Sequence, residues 1–123
     1  RKEINKPKGE LTEADLEKVT DLFLSGHPYG NKLTEVPKGL EKLTQLKELD
    51  LNDNQLTNVK GLEKLTQLED LYLNGNKLTD VKGLEKLTKL KVLYLGNNPD
   101  LTEAQIAELQ KALPKCEISS AFK

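Results

Sequence analysis

The chain has 123 residues, the size of one domain near the small end at which the margin of buried surface is thin. Nineteen Lys and Arg stand against 20 Asp and Glu, a balanced and highly charged composition that argues against a general polyanion binder, so no nucleic-acid partner is expected. No stretch approaches the roughly 18 apolar residues of a membrane span, so no membrane insertion is expected, and about a fifth of the chain is leucine, which suits a repetitive interior.

Taken in chain order, residues 1–18 read as an N-terminal helical cap. In "LTEADLEK", Thr12 is placed to cap a helix with Asp15 three residues on, and Leu11 and Leu16 are spaced as a hydrophobic staple. Residues 19–45 form a degenerate first unit through Val19, Leu22, Leu24, Asn31, Leu33, Val36, Leu40 and Leu43. Residues 46–67 and 68–89 are two near-copies, "LKELDLNDNQLTNVKGLEKLTQ" and "LEDLYLNGNKLTDVKGLEKLTK", identical at 15 of 22 positions. A further unit begins at Leu90 and runs to Leu101. Residues 102–123 read as a C-terminal helix–strand cap. Thr102 and Gln105 make a capping box, Leu101 and Ile106 the staple, and Pro114 stops the helix. Ile106, Leu109 and Leu113 share one stripe that should lie over the last coil. Beyond it, Cys116 and Ile118 should turn inward on a short final strand, with Cys116 a buried small hydrophobe, not a reactive thiol. Departures from the repeat at both ends are what an exposed leucine stack needs, so the chain is expected to be complete.

Within each unit, the alternation at Leu49, Asp50, Leu51 and at Leu71, Tyr72, Leu73 has period two, the mark of a short strand with one face turned inward. An Asn follows at a fixed offset, at Asn54, Asn76 and Asn98. Its amide can both donate to and accept from backbone groups where the chain leaves the sheet, and stacked copies should form a ladder. "VKGLEKLT" then supplies a glycine for a tight bend and leucines three apart, compatible with a short 3₁₀ turn. One unit makes one coil. The expected fold is an α/β solenoid, with a short parallel sheet on the concave face, 3₁₀ or helical turns on the convex face, and helical caps at both ends.

The pattern "LxxLxLxxNxLxxVxGLxxLxx", strong over residues 19–101, resembles the short bacterial leucine-rich repeat of internalin-like surface proteins. "NPDLTEAQIAELQKALPKCEI" is similar to the closing segment of many bacterial repeat proteins. The resemblance implies a protein that is exported or held at the cell surface and binds other macromolecules.

Side chains flanking the inward leucines must face out. Phe23, Asp50, Tyr72 and Tyr94 then form a row across neighbouring strands roughly 5 Å apart. Three of these four are aromatic in a chain with 3 Tyr and 2 Phe, and large flat side chains on an exposed sheet are common interface anchors. The alternative is that the rings merely pack on each other. One row earlier stand Asp21, Glu48, Asp70 and Val92, and one row later Ser25, Asn52, Asn74 and Gly96. With Asp53 and Glu69 set against Lys47 and Lys91, the face is acidic. The expected ligand is a protein or peptide, basic with an apolar centre, met by Phe23, Asp50, Asp70, Tyr72 and Tyr94.

The first unit breaks the period. "SGHPYGNKL" adds four residues ahead of Asn31 and "VPKGL" one more, and insertions in repeat proteins map to loops at one edge. That loop adds Tyr29 as a binding candidate, beside His27 and Pro28. One His and one Cys lie far apart, no phosphate loop or metal-ligand spacing is present, and the carboxylates recur at repeat intervals. No enzyme and no metal or cofactor is expected, and the protein is expected to be a monomer. The second reading is an idealised, consensus-like scaffold with no natural ligand. A sheet about four strands wide offers at most the roughly 800 Å² per partner of an ordinary interface.

Overall fold

A computed structural model of the chain describes residues 19–25 and 32–120. The expected N-terminal cap (1–18), the loop holding His27, Pro28 and Tyr29, and Asn31 lie outside the described residues. The elements run β1 (Asp21–Phe23), the 3₁₀ turn η1 (Leu40–Lys42), β2 (Glu48–Asp50), η2 (Leu62–Lys64), β3 (Asp70–Tyr72), η3 (Leu84–Lys86), β4 (Val92–Tyr94), helix α1 (Glu103–Ala112) and β5 (Glu117–Ser119).

The five strands form one parallel sheet in sequence order, β1-β2-β3-β4-β5. Its register follows the 22-residue period: Leu49 pairs with Leu71, and Leu71 with Leu93. The same register reaches back across the irregular first unit, where Leu22 pairs with Leu49. Strands β2, β3 and β4 are entered the same way, with one carbonyl accepting two amides. The Lys47 carbonyl takes the N–H groups of Glu69 (2.8 Å) and Asp70 (3.0 Å), and Glu69 repeats this with Lys91 (2.7 Å) and Val92 (3.1 Å).

Behind the sheet the leucines form columns. Leu46, Leu49, Leu51, Leu56, Leu62 and Leu65 are fully buried, as are their successors Leu68, Leu71, Leu73, Leu78, Leu84 and Leu87. Leu22, Leu24 and Leu33 of the first unit are only partly buried against this core. No coil could bury its leucines alone, so each is stabilised by its neighbours.

Among the described residues three polar side chains are buried in this interior: Asn54, Asn76 and Asn98. The Asn76 amide donates to the carbonyls of Leu51 (3.0 Å), Leu73 (3.1 Å) and Asn74 (3.3 Å), and its Oδ1 accepts from the Leu56 amide (3.0 Å). Asn98 repeats the set one coil on, with Leu73, Leu95, Gly96 and the Leu78 amide. Asn54 does so one coil earlier, and its acceptance from the Leu33 amide (2.8 Å) fixes Leu33 as the counterpart of Leu56 across the four-residue insertion. The ladder read from the spacing is present, and no buried side-chain polar atom lacks a partner among the described residues.

The residue before each ladder Asn is left-handed: Asp53 (φ 60°), Gly75 (φ 71°) and Asn97 (φ 54°). Asp, Gly and Asn are the residues that adopt this conformation at least cost, and it aims the next side chain back into the coil. At the other end of the unit, Gly39, Gly61 and Gly83 (φ 91–103°) open the 3₁₀ turns. In each, a Glu two residues on folds back, its Oε1 accepting from the glycine amide: Glu41 at 3.1 Å, Glu63 at 2.9 Å and Glu85 at 2.9 Å. Hydrogen bonds from its own amide and that of Gly61, with smaller help from Lys64 and Lys86, hold the Glu63 carboxyl below its usual range.

The capping box read from Thr102 and Gln105 is present at the start of α1. Thr102 Oγ1 accepts from the Gln105 amide (3.1 Å) while Gln105 Oε1 accepts from the Thr102 amide (2.9 Å). Gln105 Nε2 also donates to the Thr79 carbonyl (3.0 Å), tying α1 to the coil beneath it. Leu109 and Leu113 are buried and Ile106 partly so. Gln110 Nε2 donates to the Leu113 and Cys116 carbonyls, turning the chain from helix into β5. Cys116 is buried, and burial, then the charge of Glu117, pushes its thiol up. The sheet is one strand wider than the four expected, because β5 pairs with β4 in the same parallel register as the repeats.

Two outcomes follow from this architecture. Asn76→Ala should cost about 3 kcal/mol in urea unfolding, since it leaves several buried backbone groups without partners, each worth roughly 1–3 kcal/mol. Glu63 has a lowered folded pKa, so its contribution is present above the unfolded value of 4.5 and is lost as pH falls through the folded value. The stability gap between the native chain and Glu63→Gln, measured by urea midpoints, should therefore close as the pH is taken below 4.5.

Candidate functional site

Because the inward positions of the strands are occupied by leucine, the residues beside them line the open face of the sheet. Register places Phe23, Asp50, Tyr72 and Tyr94 side by side as one row, as read from the sequence, and extends it to Ser119 on β5. The parallel row is Asp21, Glu48, Asp70, Val92 and Glu117. Glu117 and Ser119 were missed as face residues, although the inward turn expected of Cys116 and Ile118 carries the signal for them.

Tyr72 and Tyr94 are not enclosed in the interior. Their ring centroids lie 5.1 Å apart at 55°, a tilted aromatic pair across β3 and β4. Tyr94 keeps 38% of its surface exposed, the one large exposed hydrophobic among the described residues. Tyr72 is half-buried, and its hydroxyl donates to Glu48 Oε2 at 3.2 Å, diagonally across two strands. Burial first, then the charges of Asp70 and Glu48, push the Tyr72 phenol up to about 12. The rings therefore do pack on each other, as the alternative had it, yet one of them remains open to solvent.

The other candidates divide. Asp50 Oδ1 accepts from the Asn52 amide (2.9 Å), so this carboxylate also shapes the turn out of β2. Asn52 and Asn74, read as face residues, form a second, partly buried ladder: Asn52 Oδ1 accepts from Asn74 N (2.8 Å), and Asn74 Oδ1 from Gly96 N (2.7 Å). The Asp70 carboxylate accepts no hydrogen bond and makes no ion pair among the described residues. Glu69 and Lys91 meet at 3.6 Å as a surface pair of little energetic weight. Phe23 is half-buried at the β1 edge, and Tyr29 lies outside the described residues. Among the described residues, no group of three His, Cys, Asp or Glu is arranged to hold a metal ion. No helix of the described residues is long and apolar enough to cross a membrane.

A parallel sheet of in-register leucine coils, an Asn ladder and 3₁₀ turns define a repeat solenoid. The chain belongs to the leucine-rich repeat family: models described as leucine rich repeat and as leucine rich repeats in two copies match residues 29–78 and 66–111, which together cover more than half of it. No curated protein matches it. Among solved structures it is similar to a leucine-rich repeat protein of Leptospira interrogans, with 33% identity and a TM-score of 0.73 over 89% of this chain. It is similar also to two internalins of Listeria monocytogenes, at 28% identity and TM-score 0.74 over 88% of the chain, and at 27% and 0.61 over 90%. The chain spans 28%, 44% and 37% of the lengths of those three proteins.

The electrostatic setting of Tyr72 is open to direct measurement. In a spectrophotometric titration one phenol should ionise only near pH 12, and that component should vanish in Tyr72→Phe and move down in Glu48→Gln.

Proposed function

We propose that this chain is a non-catalytic protein- or peptide-binding module that captures its partner on the open face of the sheet. The observation that carries the reading is the Tyr72–Tyr94 pair: two aromatic rings at 5.1 Å, one of them exposed, on a surface whose remaining outward strand positions, apart from Phe23 and Val92, are polar or acidic. Such rings bury much area at little cost in side-chain entropy, which is why interfaces use them as anchors. Asp21, Glu48, Asp50, Asp70 and Glu117 surround them, so the complementary partner is basic around an apolar centre. Phe23 and Tyr29 are assigned to the same partner.

Five strands at roughly 4.8 Å give a face only about 20 Å wide, small against the roughly 800 Å² per partner of a stable complex. Affinity is accordingly modest for one copy and rises when several are presented together. The likeness to internalins supports a location outside the cell or at its surface. The near-identity of residues 46–67 and 68–89 favours a second reading, an idealised scaffold without a natural ligand.

A displayed random-peptide library separates the two. Binding should enrich peptides rich in Lys or Arg with an apolar centre, and Tyr72→Ala with Tyr94→Ala should weaken them at least about tenfold while leaving the unfolding midpoint nearly unchanged. Absence of any enriched family, or enriched peptides indifferent to both tyrosines, would dismiss this face.

A further inference from the structure

Resting on that reading of the face, we infer that Tyr72, Tyr94 and Asp70, with Glu48 as support, form a subsite for a single arginine side chain of the partner polypeptide.

The carboxylates around the rings are not equivalent. Glu48 already accepts from the Tyr72 hydroxyl, and Asp50 from the Asn52 amide. Of the three carboxylates, that of Asp70 alone makes neither a hydrogen bond nor an ion pair among the described residues. It stands two residues before Tyr72 on the same face of β3, and its register partner is the uncharged Val92. No Lys or Arg occupies the two outward rows of the five strands, so its charge is unanswered there.

The rings supply the other half. The negative face of a tyrosine attracts a cation within about 6 Å of its centroid, and Tyr94 keeps 38% of its surface in solvent to offer one. The hydrogen bond from Tyr72 to Glu48 and the ring contact with Tyr94 hold the pair in one arrangement before any partner arrives. That lowers the ordering cost of binding. Burial first, then the charges of Asp70 and Glu48, raise the Tyr72 phenol, in keeping with two carboxylates close to the rings.

The geometry selects the cation. What the face offers a cation is an aromatic pair with one carboxylate beside it. A guanidinium is planar, stacks on an aromatic face and meets a carboxylate through two parallel N–H groups, whereas an ammonium is a compact and strongly hydrated point charge. An aromatic surface beside an unengaged carboxylate therefore suits arginine over lysine.

The test uses the full chain and three blocked tripeptides, Gly-Arg-Gly, Gly-Lys-Gly and Gly-citrulline-Gly, followed by the NMR ring resonances of Tyr72 and Tyr94. The arginine peptide should shift both rings saturably, and the citrulline peptide, of the same shape without charge, should bind at least about tenfold more weakly. Asp70→Asn, with unchanged circular dichroism, should weaken the arginine peptide by a similar factor, and Tyr94→Ala should do the same as read at Tyr72. Equal binding of arginine and citrulline, equal binding of arginine and lysine, or indifference to Asp70→Asn would each overturn the subsite. Library peptides that lack arginine yet need both tyrosines would remove the subsite and leave the binding module. Saturable arginine binding beside a library that yields nothing would do the reverse.

Discussion

Each coil is locked to the next by a buried side-chain amide, and the regularity of everything else depends on it. The strands are only three residues long, so the chain leaves the sheet while its backbone is still among the leucines. A carbonyl stranded there would cost roughly 1–3 kcal/mol. The Leu51 carbonyl is met by the amides of Asn54 and Asn76, and the Leu73 carbonyl by those of Asn76 and Asn98. Amide and carbonyl thus alternate in one line through the stack, and only a side chain with both a donor and an acceptor can keep it continuous. The left-handed residues Asp53, Gly75 and Asn97 exist in this frame to point that side chain inward.

With position fixed so tightly on the inner side, variation is confined to the outer. Residues 46–67 and 68–89 share all their leucines, both ladder asparagines and the "VKGLEKLT" segment, and differ at seven positions, among them Asp50 against Tyr72, Lys47 against Glu69 and Glu48 against Asp70. Those substitutions sit where a side chain has no duty to the core. Tyr72 and Tyr94 adjoin because the register puts residues 22 apart side by side, and the pairing of Tyr72 with Glu48 reaches over the same distance plus one strand diagonal.

The sequence made the inner side legible and the outer side only in outline. The leucine spacing placed four strands, the 3₁₀ turns and the ladder, and Thr102 with Gln105 marked the helix start, because each rests on a fixed spacing repeated or on a local cap. The Glu41, Glu63 and Glu85 contacts to glycine amides were equally periodic but depend on side-chain torsions that spacing does not encode. The same holds for the hydroxyl of Tyr72 on Glu48, and for Asn52 and Asn74, whose outward positions concealed bonds to the next coil's backbone. Glu117 and Ser119 escaped because β5 carries no repeat signature, only the alternation around Cys116 and Ile118.

The paired amides on the Lys47 and Glu69 carbonyls have one more consequence. They repeat the same junction from unit to unit, so a second copy of residues 68–89, whose glycine at the Gly75 position leaves room for Asp53, fits the stack after residue 67. A further 22-residue block spliced at residue 67 would meet the same acceptors below and offer the same ones above. The tyrosine pair would travel with the C-terminal part intact, while its separation from Phe23 would grow by one strand spacing. The molecule therefore contains its own ruler, in which the distance between two parts of a recognition surface is set by the number of rungs between them.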